Sequence, residues 1–251
     1  MQTLDRLLLN RHVQRLRSAT GILSAVVFLL GLVTGADLLI LIGVILLAAT
    51  VVLLAWTKIR KHEGDDLLTL LRPAANQLAW NLKHFPNWWP AVEEENFGGK
   101  LPDGYGPVTH PKAMETLLFM FGQFFSAAWT YQRFCATHLH HAKVKTLVDE
   151  VYDVLGMPGD PVDLATDARI GSDQLHLIGE RSTRGEGSAK DRPVQRSDFR
   201  PKMEYHAEAF EPLEAFLLEA GPDTAARARL KAAEQAVKRV EEWLKENRYG
   251  R

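Results

Sequence analysis

Two long apolar runs, separated by a short polar break, dominate the first part of the chain. Residues 18–36 contain no charged side chain, and after Asp37 residues 38–57 contain none either. Each run has roughly the 20 residues that an α-helix needs to cross a hydrocarbon core of about 30 Å. Because one helix containing both runs would be nearly twice too long, the pattern predicts a hairpin of two transmembrane helices over residues 18–57.

The polar break carries residues that favour a turn. Glycine relaxes the backbone, and an aspartate is unfavourable inside lipid. The turn is therefore expected at Gly31, Thr34, Gly35 and Asp37. Gly31 and Gly35 also form a GxxxG pair, which lets membrane helices approach closely, although turn formation at the helix end explains the same two glycines.

Basic residues flank the predicted hairpin on both sides, in the N-terminal segment 1–17 and directly after the second run. Segments rich in Lys and Arg stay in the cytoplasm, so both termini are expected on that side of a membrane, which we take to be a bacterial inner membrane. The residues expected to set this topology, including an interfacial tryptophan, are Arg11, Arg15, Arg17, Asp37, Trp56, Lys58, Arg60 and Lys61. A cleaved signal peptide, the competing interpretation of the first run, is disfavoured because a second full span follows directly.

Residues 58–251 repeat apolar positions at three- and four-residue intervals, which is typical of amphipathic helices. No stretch alternates polar and apolar residues over enough length to indicate a strand, so the pattern predicts an all-α, bundle-like cytoplasmic domain. The uncharged run 116–132 is expected to form its central buried helix rather than a third span. That helix is expected to continue to Leu155, before Gly156 and Pro158 end it.

Two segments of this domain are expected to be irregular. Residues 86–111 combine prolines and glycines, which disfavours a long regular element and predicts a long loop. Its aromatic residues Trp88, Trp89 and Tyr105 lie near a run of glutamates and form a candidate interaction surface. Packing over the domain, membrane contact and partner binding are the alternatives for them. Residues 185–193 are rich in charge and glycine and are expected to form a flexible linker.

The last predicted helix has apolar residues that alternate four and three positions apart. Leu230, Val237 and Leu244 belong to this heptad-like seam. A seam of this length packs on a neighbouring helix of the same domain or forms a short coiled coil between chains. It is therefore a second candidate interaction surface.

Composition and charge narrow the function classes. Cys135 is the only cysteine, which excludes an intramolecular disulfide. The formal net charge is −1, but the basic clusters before residue 18 and at residues 58–61 contribute +3 each and Asp37 contributes −1, which leaves −6 from His62 onward. An acidic domain without a basic cluster is a poor binder of phosphate backbones, so nucleic acid is not an expected partner.

The strongest candidate for chemistry is the sequence C-A-T-H-L-H-H at residues 135–141. Thiolate and imidazole groups bind zinc or copper, and Cys135, His138 and His141 recur every three residues on a predicted helix. Successive steps of three drift around a helix by about 60° each, so one ion does not easily hold all three side chains. A polar face at a helix end is the alternative.

Other functional signatures are weak or missing from the sequence. The tetrapeptide R-S-T-R at residues 181–184 is compatible with a phosphorylation site and equally with an ordinary loop. No metalloprotease, hydrolase, P-loop or dinucleotide-binding motif occurs, so no cofactor is expected and an enzymatic function has no motif to support it.

Three function classes follow from this sequence. The first is a membrane-anchored helical interaction or signalling module whose partners are the lipid bilayer and either another protein or a second copy of itself. The second is an oligomerising membrane effector or small pore, although the predicted spans carry no ionisable residue besides Asp37 at the turn. The third is a metal-dependent enzyme that uses residues 135–141.

Overall fold

The structure is a computed structural model, and it describes residues 26–30, 35, 37–93, 110–156, 170–185, 188 and 190–249. Over these residues the chain is predominantly helical, with one small sheet of two strands. The helices are α1 (Asp37–Lys83), α2 (Phe85–Glu93), α3 (His110–Phe134), α4 (His141–Leu155), α5 (Ser172–Arg181), α6 (Arg196–Tyr205), α7 (Ala207–Glu219) and α8 (Ala225–Glu246). Strands β1 (Thr183–Arg184) and β2 (Arg192–Pro193) pair antiparallel between α5 and α6.

The chain divides into two compact units, 1–64 with 135–141, and 65–134 with 142–251. In the first unit, residues 26–30 are helical and Gly35 adopts a left-handed turn with φ of 66°. Gly43 on α1 is buried against Phe28, since an added Cβ would lie 2.7 Å from the Phe28 Cα. This contact brings residues 26–30 directly against α1, where only a glycine leaves room.

The expected two-helix hairpin is shown only in part. Most of its first span lies outside the described residues, as do Gly31 and Thr34 of the expected turn. Within the described chain, one helix is long and apolar enough, by length and composition, to cross a membrane, and it lies within α1. At Gly35 nothing lies within 4 Å of an added Cβ, which favours turn formation over helix contact for this glycine.

The core of the second unit is built around α3. Phe121, Phe124, Phe125 and Tyr131 on this helix are fully buried. The helix contacts α2, α5, α6, α7 and both strands, so it is surrounded on most sides. The Phe125 ring stacks on the ring of Tyr152 from α4, with 5.3 Å between centroids. The prediction of a central buried helix is therefore confirmed, although the helix is shorter than expected.

Helices α3 and α5 approach each other closely at a glycine. An added Cβ on Gly179 would lie 2.6 Å from the Phe125 carbonyl oxygen and 3.0 Å from the Trp129 Cβ. Both neighbouring atoms belong to or adjoin the backbone of α3, so they have little freedom to move. The close crossing brings the end of α5 beside the end of α3 and positions the polar residues that follow α5.

Three local expectations differ from the structure. The central helix ends at Phe134, and residues 135–140 form a turn before α4, with the His138 N–H donating to the Cys135 carbonyl at 2.9 Å. Residues 86–93, expected to be irregular, form most of α2. Pro86 lies in the first turn of that helix, where proline is tolerated, and Pro90 lies inside the helix on its exposed side. A proline inside a helix removes a backbone donor, so a kink or a new helix is expected at Pro73, but α1 continues through it. Pro73 and Thr69, whose carbonyl loses its partner, are both on the exposed side of the helix.

The segment between α5 and α6 contains the strand pair. Thr183 pairs with Pro193 and Arg184 with Arg192, and Gly185 turns the chain with φ of 148°. Asp191 is 3% exposed, and its carboxylate accepts hydrogen bonds from the Ser188 N–H and hydroxyl. These contacts order part of the predicted linker 185–193, whose flexibility stays a prediction.

Candidate functional site

The first half of α1 exposes large apolar side chains on all sides. Leu38, Ile45, Val52 and Leu54 each leave more than half of their surface uncovered, and intervening apolar residues are also exposed. The second half differs, since Leu67, Leu68 and Leu71 are fully buried in the second unit. A helix that is apolar all round and uncovered is typical of one that meets lipid.

The residues expected to set membrane topology are placed as follows. Asp37 opens α1, and Lys58 and Lys61 lie exposed further along the same helix, with Arg60 between them. Trp56 is 47% exposed, one turn before Arg60. Arg11, Arg15 and Arg17 lie outside the described residues.

The candidate metal ligands do not form a recognisable ion site. Cys135 and His138 are buried in the turn, and His141 opens α4. The His138 ring lies against Gly64 so closely that a Cβ at Gly64 would overlap the ring. Among the residues that the structure describes, no three His, Cys, Asp or Glu side chains are grouped to hold a metal. The turn therefore serves as packing against α1 in the first unit, and metal binding stays an untested prediction.

The two candidate interaction surfaces are occupied inside the second unit. Trp88 and Trp89 on α2 are 6% and 8% exposed, while Tyr105 lies outside the described residues. Arg227 extends over the Trp89 ring at 5.5 Å and donates from Nε to the Ala220 carbonyl. Of the three alternatives for these tryptophans, packing over the domain is the one observed.

The heptad-like seam is likewise internal. Leu230, Val237 and Leu244 are at most 1% exposed on α8, which contacts α7. Arg239 on the opposite side pairs with Glu150 of α4 at 3.0 Å. Of the two alternatives for this seam, packing in the same domain is the one observed, so the seam is not free for a coiled coil between chains.

The R-S-T-R sequence occupies the end of α5 and the start of β1. Ser182 is fully buried, and Thr183 is 7% exposed. The Thr183 hydroxyl donates to the Gly179 carbonyl at 2.7 Å and lies 2.8 Å from the Ser126 hydroxyl. Because both hydroxyls are inside the fold, a kinase could not reach them without unfolding this region.

The first arginine of the same sequence, Arg181, lines a polar cavity of about 260 Å³ in the second unit. Its walls come from the end of α3, the end of α5, the strand pair and the end of α6. The lining residues are Trp129, Arg133, Glu180, Arg181, Thr183, Gly185, Asp191, Lys202 and His206. The basic residues Arg133 and Lys202, which sequence reasoning missed, come from distant parts of the chain. Of the lining residues, only Arg181 and Thr183 belong to a segment that the sequence singles out, and there as a phosphorylation site.

A second cavity of about 290 Å³ is more apolar. It is lined by Trp80, Asn81, Trp88, Lys112, Thr116, Met120 and Arg196. The Arg196 guanidinium donates to the Thr116 hydroxyl at 2.8 Å and lies 5.8 Å from the centre of the Phe119 ring. This cavity brings together two basic residues, Lys112 and Arg196, whereas the polar cavity brings together three, so the polar cavity is the stronger candidate for an anionic ligand.

Comparison with models of known protein families, with curated proteins and with solved structures finds no match.

Proposed function

We propose that this chain is a membrane-anchored helical module, held by a two-helix hairpin over residues 18–57 at the cytoplasmic face of a bacterial inner membrane. Its helical domain, residues 58–251, acts there by binding a protein partner or a second copy of the chain. The observation that carries the proposal is the uncovered apolar surface of the first half of α1. In water such a surface would associate or aggregate, whereas in lipid it is matched to its surroundings.

Two further observations support a hairpin over a single span. The segment 26–30 is helical and lies against Gly43, and a left-handed glycine at position 35 separates it from α1. A chain that reverses at Gly35 returns to the side from which it came. The basic residues on both outer flanks then favour the cytoplasm for both ends.

An interaction role fits the domain better than catalysis does. The sequence contains none of the common catalytic motifs, and the described residues hold no three-residue metal group. A domain fixed to a membrane has a high effective concentration for partners in the same membrane, which makes weak contacts sufficient.

Cysteine accessibility tests the anchor and its topology. Cys135 is buried and is the only cysteine, so a Cys135→Ala parent provides an unreactive background. Asp37→Cys and Glu246→Cys are then added singly at exposed positions on α1 and α8. In bacterial cells with a permeabilised outer membrane, a membrane-impermeant maleimide should label the Asp37→Cys variant, and the Glu246→Cys variant only after the inner membrane is opened.

Carbonate extraction of the same membranes completes the test. An integral membrane protein stays with the membrane pellet in this extraction. In the labelling experiment, the Cys135→Ala parent measures background labelling. Recovery of the chain in the soluble fraction, or labelling of both variants from outside the inner membrane, would contradict the proposal. Self-association is measured separately from the mass of the full chain in detergent.

A further inference from the structure

The polar cavity has an excess of basic groups that the fold leaves without counter-charges. Arg133, Arg181 and Lys202 all line it. Within the part of the chain that the structure describes, none of the three lies within ion-pair distance of a carboxylate. Most basic residues near a protein surface are solvated singly, so three around one small cavity are a distinctive arrangement.

The two carboxylates that line the cavity do not neutralise this cluster. The Asp191 carboxylate faces the loop between β1 and β2, where it accepts hydrogen bonds from the N–H and the hydroxyl of Ser188 at 3.0 and 3.1 Å. Glu180 is exposed on the last turn of α5. Both acids nevertheless limit the net positive charge, which disfavours a highly charged polyanion and favours a single anionic group.

The arginine of α5 presents a donor with no acceptor. The Arg181 Nε is buried from solvent and makes no hydrogen bond to any described residue. A buried donor without a partner is unfavourable, and a bound acceptor would remove that cost. Burial and the positive charge of Arg181 also lower the pKa of Lys202, as expected where two cations face one cavity.

Two of the three basic groups have contacts that position them before any ligand binds. The Arg133 guanidinium lies 4.8 Å from the centre of the Trp129 ring, and Lys202 Nζ donates to the Thr183 carbonyl at 2.6 Å. The Thr183 hydroxyl is itself fixed by Gly179 and Ser126. Groups that are ordered in advance lose little entropy on binding, which favours affinity for a small ligand.

We propose that this cavity binds the phosphate group of a small molecule, with Arg133, Arg181 and Lys202 as its ligands. Two guanidinium groups and an ammonium group match a phosphate better than a carboxylate. A phosphate offers several acceptor oxygens and up to two charges, whereas a carboxylate has only two oxygens. The cavity is smaller than the roughly 300–1,000 Å³ of pockets for drug-sized ligands, so the phosphate and few further atoms fit. The phosphate belongs to a soluble phosphate ester or to a lipid headgroup. This site does not depend on the proposed membrane topology.

Binding is measured on the full chain in detergent by calorimetry, with inorganic phosphate, glycerol 3-phosphate and acetate as probes. We expect both phosphate compounds to bind and acetate to bind at least tenfold more weakly. Lys202→Gln and Arg133→Gln should each weaken phosphate binding by about tenfold to a hundredfold, the range for a hydrogen bond to a charged group. Arg200→Gln, on the same helix as Lys202 but paired with Glu204, is the matched control and should leave affinity unchanged.

The source of the phosphate is distinguished with bilayer nanodiscs that hold the full chain. At least tenfold weaker binding of glycerol 3-phosphate when the bilayer contains phosphatidic acid than when it contains an equally charged amount of phosphatidylserine assigns a headgroup, whereas equal binding in the two bilayers assigns a soluble ester, and either supports the phosphate site. Absence of binding to every phosphate probe overturns the proposal. Equal affinity in the Lys202→Gln, Arg133→Gln and Arg200→Gln variants overturns it too, because the bound phosphate would then lie elsewhere. Acetate that binds as tightly as phosphate would assign a general anion site instead.

Discussion

Replacement of Gly179 by alanine is the sharpest test of how α3 and α5 pack. The new methyl group would lie 2.6 Å from the Phe125 carbonyl oxygen, a distance that real Cβ atoms avoid. Inserting a methyl group into a packed core costs about 1–3 kcal/mol. The substitution also stabilises α5 by about 1 kcal/mol, because alanine has a higher helix propensity than glycine. The neighbouring atoms are backbone and cannot rotate away, so the cost falls near its upper end and the net loss is about 2 kcal/mol.

For a domain of this size, a loss of about 2 kcal/mol lowers Tm by about 4–8 °C. Thermal unfolding of the full chain in one detergent, followed by tryptophan fluorescence, measures this shift. Gly171→Ala is the matched control, since nothing lies within 4 Å of its added Cβ and its backbone is extended. Its Tm should stay within about 2 °C of the parent, because lower entropy of the unfolded chain offsets a less favourable helix cap. A Gly179→Ala protein as stable as the parent would refute the close crossing of α3 and α5.

Two further predictions concern α8 and the buried tyrosine of α4. Thr224→Ala removes the side chain that accepts the Arg227 N–H at the start of α8, so it should cost about 0.5–2 kcal/mol in thermal unfolding, while Thr224→Ser should recover most of the loss. Burial and the charge of Asp149 raise the pKa of Tyr152, so its phenol stays neutral in the folded chain while the unfolded chain ionises above about pH 10. The free energy of unfolding is therefore retained below about pH 10 and falls as the pH rises further. Between about pH 9 and 11, denaturation should show a smaller fall in the Tyr152→Phe protein than in the parent. An alkaline loss of the same size in both proteins would show that Tyr152 is not the group responsible.

Periodic patterns in the sequence located the long helices. The uninterrupted apolar run after Asp37 anticipated the exposed half of α1, and the alternation of Leu230, Val237 and Leu244 anticipated the buried side of α8. These features depend on local spacing, which the sequence displays directly. Whether the seam of α8 is covered by its own domain or by another chain depends on tertiary packing, and the spacing is the same in both cases.

Other features required the folded chain. The turn at residues 135–140 contains neither glycine nor proline, so the local sequence carries no helix-stop signal at the end of α3. Pro86 was interpreted as a helix breaker although it occupies the first turn of α2, where proline is tolerated. Gly43 and Gly64 are needed for close contacts that only the three-dimensional arrangement reveals.

The polar cavity illustrates the same limit for function. Its basic residues come from α3, α5 and α6, and they are separated by long stretches of chain. No spacing rule connects Arg133 with Lys202. The sequence places Arg181 next to two hydroxyl residues, but only the folding of α5 against α3 brings separate cations to one cavity.

The hydrogen bond from Arg72 to the Tyr249 carbonyl, 2.7 Å long, joins residues 177 positions apart. This hydrogen bond holds Tyr249 against the second half of α1, and burial there, together with the nearby Asp65, raises the pKa of Tyr249. During synthesis, the apolar first half of α1 leaves the ribosome long before Tyr249 does. At about 5–20 residues per second, the buried side of α1 waits on the order of ten seconds or more for its final contact. The second unit therefore makes this contact only after the apolar first half of α1 has left the ribosome, and the large separation in sequence makes the contact non-local and slow to form.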